Sequence, residues 1–289
     1  MIKKVMMLVV GLMLFGLLVG CSGKQAGFDS SSDITVVSRE DGSGTRGAFI
    51  ELMGIEVKGA DGSRSDKTTK DAIIANKTDV VMANVSGDPH AIGYISLGSL
   101  NDTVKAVKID GVEGSVENIK NGTYKIARPF NIAIKGVPSG LAKDFIDFIF
   151  SAEGQGIVAK NYIPIHDQAP TYSGSKPAGK IVIAGSSSVS PLMDKLIEGY
   201  KIINTQAEIE LQTSDSTAGM TAVRNGTADI GMASRDLKDS EKAELKGQVI
   251  AMDGVVVVVN KENPVTNLTS DEVKGIYKGS ITSWSELLD

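Results

Sequence analysis

The chain has 289 residues, a formal net charge of −5, 42% hydrophobic residues and 22% charged residues. This composition is ordinary for a globular protein, and the length is sufficient for two lobes with separate cores. An acidic chain with 5% aromatic residues and no basic stripe argues against nucleic-acid binding. If such a chain binds an anion, the positive potential must be local, from helix ends, hydroxyl groups and a few arginines.

The N-terminal region predicts export. Residues 1–20 combine a basic start with an uncharged apolar run, the pattern of a secretory signal peptide, and an uncleaved anchor helix is the alternative. The run is short for a bilayer span of ~20 residues. Leu18-Val19-Gly20-Cys21 resembles the lipobox of bacterial lipoprotein precursors, which implies cleavage before Cys21 and lipidation of its sulfur. Residues 21–32 are then a flexible lipidated tether, and a single cysteine excludes an intramolecular disulfide.

The first candidate site lies in residues 34–53. β-Branched residues predict a buried strand over 34–37, and apolar residues recur at helical spacing over 48–53. The Gly-rich loop between them therefore precedes a helix N-terminus, where free N–H groups and the helix dipole favour an anion. The candidate ligands in the loop are Arg39, Ser43, Gly44 and Thr45, with Asp41 as the candidate partner of the Arg39 guanidinium. A solvated turn with a capping hydroxyl is the alternative.

A second loop repeats this arrangement. Residues 181–184 predict a strand, 185–191 form a Gly/Ser-rich loop, and apolar residues over 192–200 predict a helix with Pro191 in its first turn. Ser186 to Ser188 are expected to present hydroxyl and N–H groups near the N-terminus of that helix. Two loops of this kind suggest the two walls of one cleft.

Two later segments add candidates. Residues 207–212 predict a strand, after which Ser216 is a plausible helix cap. Residues 228–235 predict another strand that carries Arg235 to its carboxyl edge, where open α/β sheets bind ligands. Asp215 and Asp236 flank these positions as candidate acceptors.

Five motifs together resemble the PstS-type phosphate-binding lipoproteins of bacterial phosphate ABC importers. They are SREDGSGTR, GSSSVSPL, ADIGMASRDL, AIGYISLGSL and GLAKDFIDFIFSAEGQGIV. The resemblance implies a two-lobed α/β periplasmic-binding-protein-like fold of type II with the ligand cleft between the lobes. It further implies inorganic phosphate as ligand, permease subunits of an importer as partners, and a location on the outer face of the cytoplasmic membrane.

The resemblance also assigns the ligands, and it shows one departure from the family. The implied phosphate ligands are Arg39, Ser43, Gly44, Thr45, Ser187, Ser188, Ser216 and Arg235. The family has an aspartate at the position of Arg235, so the acceptor of the phosphate proton is expected among Asp41, Asp215 and Asp236. Preference for phosphate over sulfate is still expected, because an unpaired carboxylate facing sulfate costs several kcal/mol.

The order of the motifs is reversed relative to the family, where the GSSSVSPL-type segment comes first. A circular permutation is therefore predicted, with the family's usual termini joined through residues 166–180. Under this prediction one lobe consists of residues 33–126 plus 255–289, and the other of residues 127–254. A truncated tandem repeat and a segment-swapped dimer are the alternatives.

Several local structures outside the five motifs are predicted from residue patterns. Residues 68–76 indicate a helix and residues 79–85 a strand. Five valines at 255–259 indicate a strand buried on both faces, which either crosses between the lobes or lies within one of them. A capping box at 269–272 predicts the start of a helix.

The sequence favours a binding protein over an enzyme. No serine lies in a G-x-S-x-G motif, and the histidines His90 and His166 are far in sequence from the Ser-rich loops. They also lack metal-ligand spacing, so no metal or cofactor is expected. The alternatives are a receptor or sensor for another tetrahedral oxyanion such as sulfate, a surface lipoprotein, or a phosphate-releasing hydrolase. A monomer is expected.

Overall fold

The computed structural model describes residues 27–59, 63–166 and 168–288. The predicted signal peptide and the predicted lipidation site, Cys21, lie outside the described residues. No helix in the described ranges combines the length and apolarity that a membrane span requires.

The described strands are β1 (Thr35–Arg39), β2 (Glu56–Lys58), β3 (Arg64–Asp66), β4 (Ile73–Ala75), β5 (Ala91–Ser96), β6 (Lys105–Ala106), β7 (Lys108–Ile109), β8 (Ala127–Ile134), β9 (Gly179–Ser186), β10 (Ala207–Ser214), β11 (Ile230–Ala233), β12 (Lys246–Val259) and β13 (Asn267–Leu268). The described helices are α1 (Gly44–Leu52), α2 (Thr78–Gly87), α3 (Val116–Lys120), α4 (Gly140–Ile149), α5 (Ala152–Val158), α6 (Ser190–Ile203), α7 (Ser216–Asn225), α8 (Asp239–Lys242) and α9 (Ser270–Lys278). Short 3-10 turns cover Leu97–Ser99 and Trp284–Glu286.

A mixed sheet connects the two lobes. Its strand order is β10-β9-β11-β8-β12-β5-β1-β4, with β6 paired to β12. The long strand β12 pairs with β8 from Lys246 to Gly254 and with β5 from Val255 to Val259. The backbone of β12 therefore passes directly from one lobe into the other.

Separate hydrophobic cores fill the two lobes. The apolar side chains packed on β8 to β11 come from residues 130–251. Those packed on β1, β4 and β5 come from residues 34–126 and 255–284. Each core is shielded by helices, as expected for an α/β architecture in which the sheet must bury both of its faces.

Two local predictions are wrong. Residues 68–76 form no helix; instead β4 lies there and pairs in parallel with β1, because a β-branched Ile-Ile pair suits an edge strand. Residues 79–85 belong to helix α2, not to a strand. The apolar residues Val81 and Val85 are buried one helical turn apart, and this four-residue spacing outweighs the β-branched character of the segment.

Two other predictions are confirmed. The five valines at the end of β12 are all 0–1% exposed, so this stretch is buried on both faces. It pairs with β5 and lies within one lobe, because β12 passes between the lobes just before it, at Gly254. The capping box of α9 also forms: Thr269 Oγ1 accepts from Glu272 N at 3.2 Å, and Glu272 Oε2 accepts from Thr269 N at 2.6 Å. Both outcomes follow from local pattern alone.

Candidate functional site

The first loop joins β1 to α1 as the sequence predicts. β1 ends at Arg39, and Ser43 caps the helix by accepting a hydrogen bond from Arg46 N at 3.3 Å. Thr45 in the first turn is fully buried, and Arg39 is only 2% exposed. A guanidinium and a hydroxyl are thus buried beside a helix N-terminus, which is the arrangement that anion binding requires.

The second loop joins β9 to α6 and meets the first loop directly. Arg39 Nη2 donates to Ser187 Oγ at 3.1 Å, and the hydroxyls of Thr45 and Ser188 are 2.8 Å apart. Ser187 and Ser188 are both buried. The loops come from different lobes, so their hydroxyl groups form one cluster where the lobes meet.

A third and a fourth segment complete this hydroxyl cluster. The Thr78 hydroxyl, at the start of α2, lies 3.3 Å from Ser188 Oγ. Ser216 Oγ, at the start of α7, accepts from Ser234 N at 3.1 Å, and Ser186 Oγ donates to Ser234 Oγ at 2.9 Å. Three helix N-termini and the end of β11 therefore converge on the first loop. Sequence reasoning missed Thr78 because its helix was predicted as a strand. It missed Ser234 because a single serine next to an arginine carries no sequence signal for a ligand.

Gly44 lies at a close contact between the two lobes. A Cβ atom at this position would be 2.6 Å from Ser216 Oγ and 2.7 Å from Ser234 Oγ. Both distances are shorter than real Cβ contacts allow, so a side chain here would force the first loop away from α7. The close approach of backbone to hydroxyl groups depends on glycine.

The predicted partner of Arg39 is corrected by the structure. The Arg39 guanidinium binds both carboxylate oxygens of Glu40 at 2.7 Å and donates to Ala75 O at 3.2 Å. Asp41 instead is 96% exposed and pairs with Arg46 at 3.1 Å. The reason is local geometry, because the chain turns immediately after Glu40 and carries Asp41 out to solvent.

The other sequence-predicted charges lie beside the cluster. Arg235 forms a two-point ion pair with Glu241 at 2.7 and 2.8 Å, and no hydrogen bond in the described residues links it to the buried hydroxyl groups of the two loops. Burial acts to raise the pKa of Glu241, but this arginine holds it below its usual value. Asp215 caps α7 by accepting from Ala218 N at 2.8 Å, and Asp236 is exposed on the cleft wall.

A buried ion pair that sequence reasoning did not select lies under the cluster. Arg128 on β8 and Asp253 on β12 are direct cross-strand partners, 3.2 Å apart and at most 2% exposed. Arg128 Nη1 donates to Thr45 Oγ1 and to Ser234 O, both at 2.8 Å. Burial raises the pKa of Asp253 to about 6, although Arg128 acts in the opposite direction. An available signal was a charged residue beside apolar residues in each of two predominantly apolar segments, Ala127–Ile134 and Val249–Val259.

An open cleft of about 670 Å³ leads from solvent to this region. Both lobes line it, through the α1 face on one side and residues 235–242 on the other. Its cationic lining residues are Arg64, Arg128, Arg235, Lys238 and Lys242. Four acidic residues line the same cleft: Glu51, Glu56, Asp236 and Asp239. Two of the cations are held in ion pairs, Arg64 with Glu56 and Arg235 with Glu241.

The chemistry of the cluster is that of a donor-rich pocket. Hydroxyl groups, helix N-termini and guanidinium groups can all donate to the oxygens of a tetrahedral anion. In the described ranges no group of three or more His, Cys, Asp or Glu side chains is arranged to hold a metal ion.

Comparison with known proteins identifies the family of this chain. The family model described as "PBP superfamily domain" matches residues 24–153 and 170–289. The chain is 52% identical over 282 residues to "Phosphate-binding protein PstS 2" of Streptococcus agalactiae serotype V, covering 96% of both chains. This chain belongs to the PBP superfamily and to its PstS-type proteins.

Two further PstS-type matches cover the chain almost completely. "Phosphate-binding protein PstS 2" of Streptococcus pneumoniae serotype 4 is 43% identical over 288 residues, 99% of this chain and 98% of that one. A crystal structure of a phosphate ABC transporter, phosphate-binding protein from Streptococcus pneumoniae TIGR4 matches with a TM-score of 0.69 and 44% identity, covering 88% of this chain and 99% of that chain. The predicted PstS-type resemblance and the two-lobed α/β fold are therefore confirmed.

Proposed function

We propose that this protein is an extracytoplasmic solute-binding protein that captures inorganic phosphate and delivers it to the membrane subunits of an ABC-type importer. One observation carries the proposal: two helix N-terminal loops from different lobes place a buried arginine and buried hydroxyl groups in mutual contact. Arg39 reaches Ser187, and Thr45 reaches Ser188, across the cleft. The names of the full-length relatives support phosphate as the ligand.

The proposed phosphate ligands keep the set that the motifs imply. They are Arg39, Ser43, Gly44, Thr45, Ser187, Ser188, Ser216 and Arg235, with Asp41, Asp215 and Asp236 as candidate acceptors. Phosphate bound here would exchange the contacts between the loops for contacts to its own oxygens. Arg235 would first have to leave its ion pair with Glu241. Asp215 lies against the first loop from the other lobe, because a Cβ atom at Gly42 would meet its carboxylate.

Binding without catalysis is part of the proposal. A hydrolase using one of these serines would need a base within hydrogen-bonding reach. His90 instead accepts a hydrogen bond from Asp29 N at 2.9 Å, and the His166 ring lies beside Phe150. Purified protein is therefore expected to leave a chromogenic phosphate ester intact. Turnover that follows the protein through purification would contradict this.

We also propose that Cys21 becomes the lipidated N-terminus and attaches a monomer to the outer face of the cytoplasmic membrane. The short apolar run and the LVGC motif support it. Cys21→Ala is expected to release the protein from the membrane fraction, and intact-mass measurement should show acyl mass on the wild type. A mature protein that begins elsewhere would contradict the proposal.

The predicted lobe bounds and circular permutation remain proposals. The division of the hydrophobic cores and the change of partner of β12 at Gly254 support lobes of 33–126 plus 255–289 and of 127–254. The family model matches in two blocks, and the interval 154–169 between them overlaps the expected junction of the usual termini.

Calorimetric titration of the full-length protein with phosphate, sulfate and molybdate tests the function. We expect saturable one-site binding of phosphate, with sulfate at least tenfold weaker. Comparable affinity for sulfate would favour a receptor of broader oxyanion range. No phosphate binding would contradict the proposed function.

A further inference from the structure

Arg128 joins the floor of the cleft to the hydroxyl cluster. It lies on β8, the strand next to the crossing strand β12, and its side chain is 2% exposed. Its Nη1 atom donates to Thr45 Oγ1, a proposed phosphate ligand, at 2.8 Å and to Ser234 O at the same distance. The guanidinium therefore touches both lobes at the point where the proposed ligands meet.

The opposite edge of this guanidinium is held by a carboxylate. Nη2 donates to Asp253 Oδ2 at 3.2 Å, and Gly98 N donates to Asp253 Oδ1 at 3.4 Å. Arg128 and Asp253 face each other in the antiparallel register of β8 and β12, although they are 125 residues apart in sequence. A cross-strand partner of this kind restricts the guanidinium to one orientation.

One donor of Arg128 remains unused. Its Nε is buried and has no hydrogen-bond acceptor in the described part of the chain. Buried polar groups in folded proteins nearly always have partners, and an unpaired one beside a binding site calls for an explanation such as a ligand. Burial, together with the positive charge of Arg39, lowers the pKa of Arg128, so a bound anion would also relieve an electrostatic cost.

We propose that Arg128 is a further arginine of the phosphate site, in addition to Arg39 and Arg235, which donates to the anion through Nε, and that Asp253 is the positioning residue that orients it. This inference rests on the proposed function. It adds a guanidinium that none of the motif-derived ligands includes. Arg39 and Arg128 then approach the hydroxyl cluster from different strands, and the anion lies between two fixed positive charges.

Titration calorimetry with inorganic phosphate on the full-length protein tests the role of Arg128. Arg128→Met keeps much of the side-chain volume and removes the charge, and we expect it to raise Kd at least about tenfold, the effect of losing a charge-assisted hydrogen bond. Arg128→Lys should fall between it and the wild type, because the charge remains and the planar fork is lost. Arg224→Met is the matched control, since that arginine pairs with Glu244 at the surface, and its Kd should stay within twofold of wild type.

A double-mutant cycle tests Asp253. Asp253→Asn should weaken phosphate binding in the wild-type background, but it should add little to Arg128→Met, because a positioning residue acts only through the group it orients. Equal and additive effects in both backgrounds would contradict the positioning role. Thermal unfolding without phosphate separates loss of fold from loss of binding.

A measurement on the wild type covers the case in which a variant does not fold. The Nε–H resonance of Arg128, assigned by its absence from the Arg128→Lys spectrum or by selective labelling, should shift at saturating phosphate. Wild-type binding with an unmoved resonance, or with an unchanged Kd in Arg128→Met, would overturn the inference and leave the proposed function intact. Absence of phosphate binding by the wild type would overturn both.

Discussion

Arg39 is held on one edge by Glu40 and reaches Ser187 with the other. The ion pair stabilises the buried charge, and the remaining donors keep their direction toward the second loop. A buried guanidinium fixed in this way is already oriented before an anion arrives, so little conformational entropy is lost on binding.

Arg39→Met is expected to weaken phosphate binding by at least about tenfold, because a charge-assisted hydrogen bond in a dry cleft contributes roughly 1.5–3 kcal/mol. Calorimetric titration measures it. The exposed-arginine variant Arg224→Met serves as the control here as well. An affinity in Arg39→Met equal to that of the control would remove Arg39 from the proposed site.

Away from the site, the buried Asp144 side chain is likewise held in one orientation by hydrogen bonds. Its carboxylate accepts from Tyr172 Oη, from Tyr200 Oη at 2.6 Å and from Ser175 N at 2.8 Å. Tyr172 and Ser175 belong to the predicted junction 166–180, so this carboxylate fastens the junction to α4 and α6. Burial by itself raises the pKa of Asp144, but the hydrogen bonds outweigh it and lower the pKa below its usual value.

Because the pKa of Asp144 is lower in the folded state than in the unfolded state, its ionised carboxylate stabilises the fold at pH values above the unfolded-state pKa of about 4. This contribution is lost as the pH falls through the pKa of Asp144 in the folded state. Asp144→Asn should therefore reduce the free energy of unfolding by about 1.5–3 kcal/mol at pH 7, and the difference from wild type should shrink between pH 5 and pH 3. Urea unfolding across this range measures it. The exposed Asp147→Asn on the same helix should change stability by less than about 0.5 kcal/mol.

At the scale of elements, helix N-termini surround the hydroxyl cluster. α1, α2, α6 and α7 all begin at the hydroxyl cluster, and the partial positive charge of each N-terminus adds to that of the arginines. The loops before α1 and α6 follow parallel strands at their carboxyl ends, which is where α/β sheets usually bind ligands. The arrangement depends on how closely the first loop can approach α7.

Gly44→Ala tests this approach. The added methyl would meet Ser216 and Ser234 at less than 3 Å, so we expect the loop to shift and phosphate binding to fall at least tenfold. Gly47→Ala is the matched control on the same helix: its Cβ would meet nothing within 4 Å, and alanine favours a helix by about 1 kcal/mol over glycine. Equal affinities in the two variants would show that close packing at Gly44 is not needed for binding.

At the scale of the whole molecule, the ends of the described chain lie together on one lobe. Asp33 forms a β-bridge with Ser283, and Ile34 N donates to Thr282 O at 2.7 Å. Trp284 is fully buried and donates from Nε1 to His90 O at 2.9 Å. Neighbouring termini at a surface are what a circular permutation requires.

A rearranged protein tests the proposed permutation. Its chain is opened at residues 166–168, and residue 289 is joined to residue 27 through a short Gly/Ser linker. This change would restore the order of segments that the PstS-type resemblance implies. We expect this rearranged protein to fold and to bind phosphate with a Kd within about threefold of wild type, because the core and the cleft contacts are unchanged. Circular dichroism and calorimetry measure the two properties. Failure to fold, with a linker-only insertion at the same loop tolerated, would contradict the proposed permutation.

The sequence by itself determined the two strand–loop–helix units, the PstS-type resemblance and the burial of the valine run. These are encoded locally: glycines, capping hydroxyls and β-branched runs lie next to each other in the chain, and neighbouring residues decide their backbone conformation. The predictions for two short segments were wrong. β4 and α2 were predicted incorrectly because apolar runs of this length fit either period until they pack against the sheet.

Only the tertiary structure decided which polar side chains meet. The pairs Arg39–Ser187 and Arg128–Asp253 each join residues more than a hundred positions apart. Their contact depends on strand register and on the meeting of two lobes, which no local pattern records. Arg235 lies in a recognised motif, yet its guanidinium pairs with Glu241, because side-chain direction at the end of a strand is settled by what packs beside it.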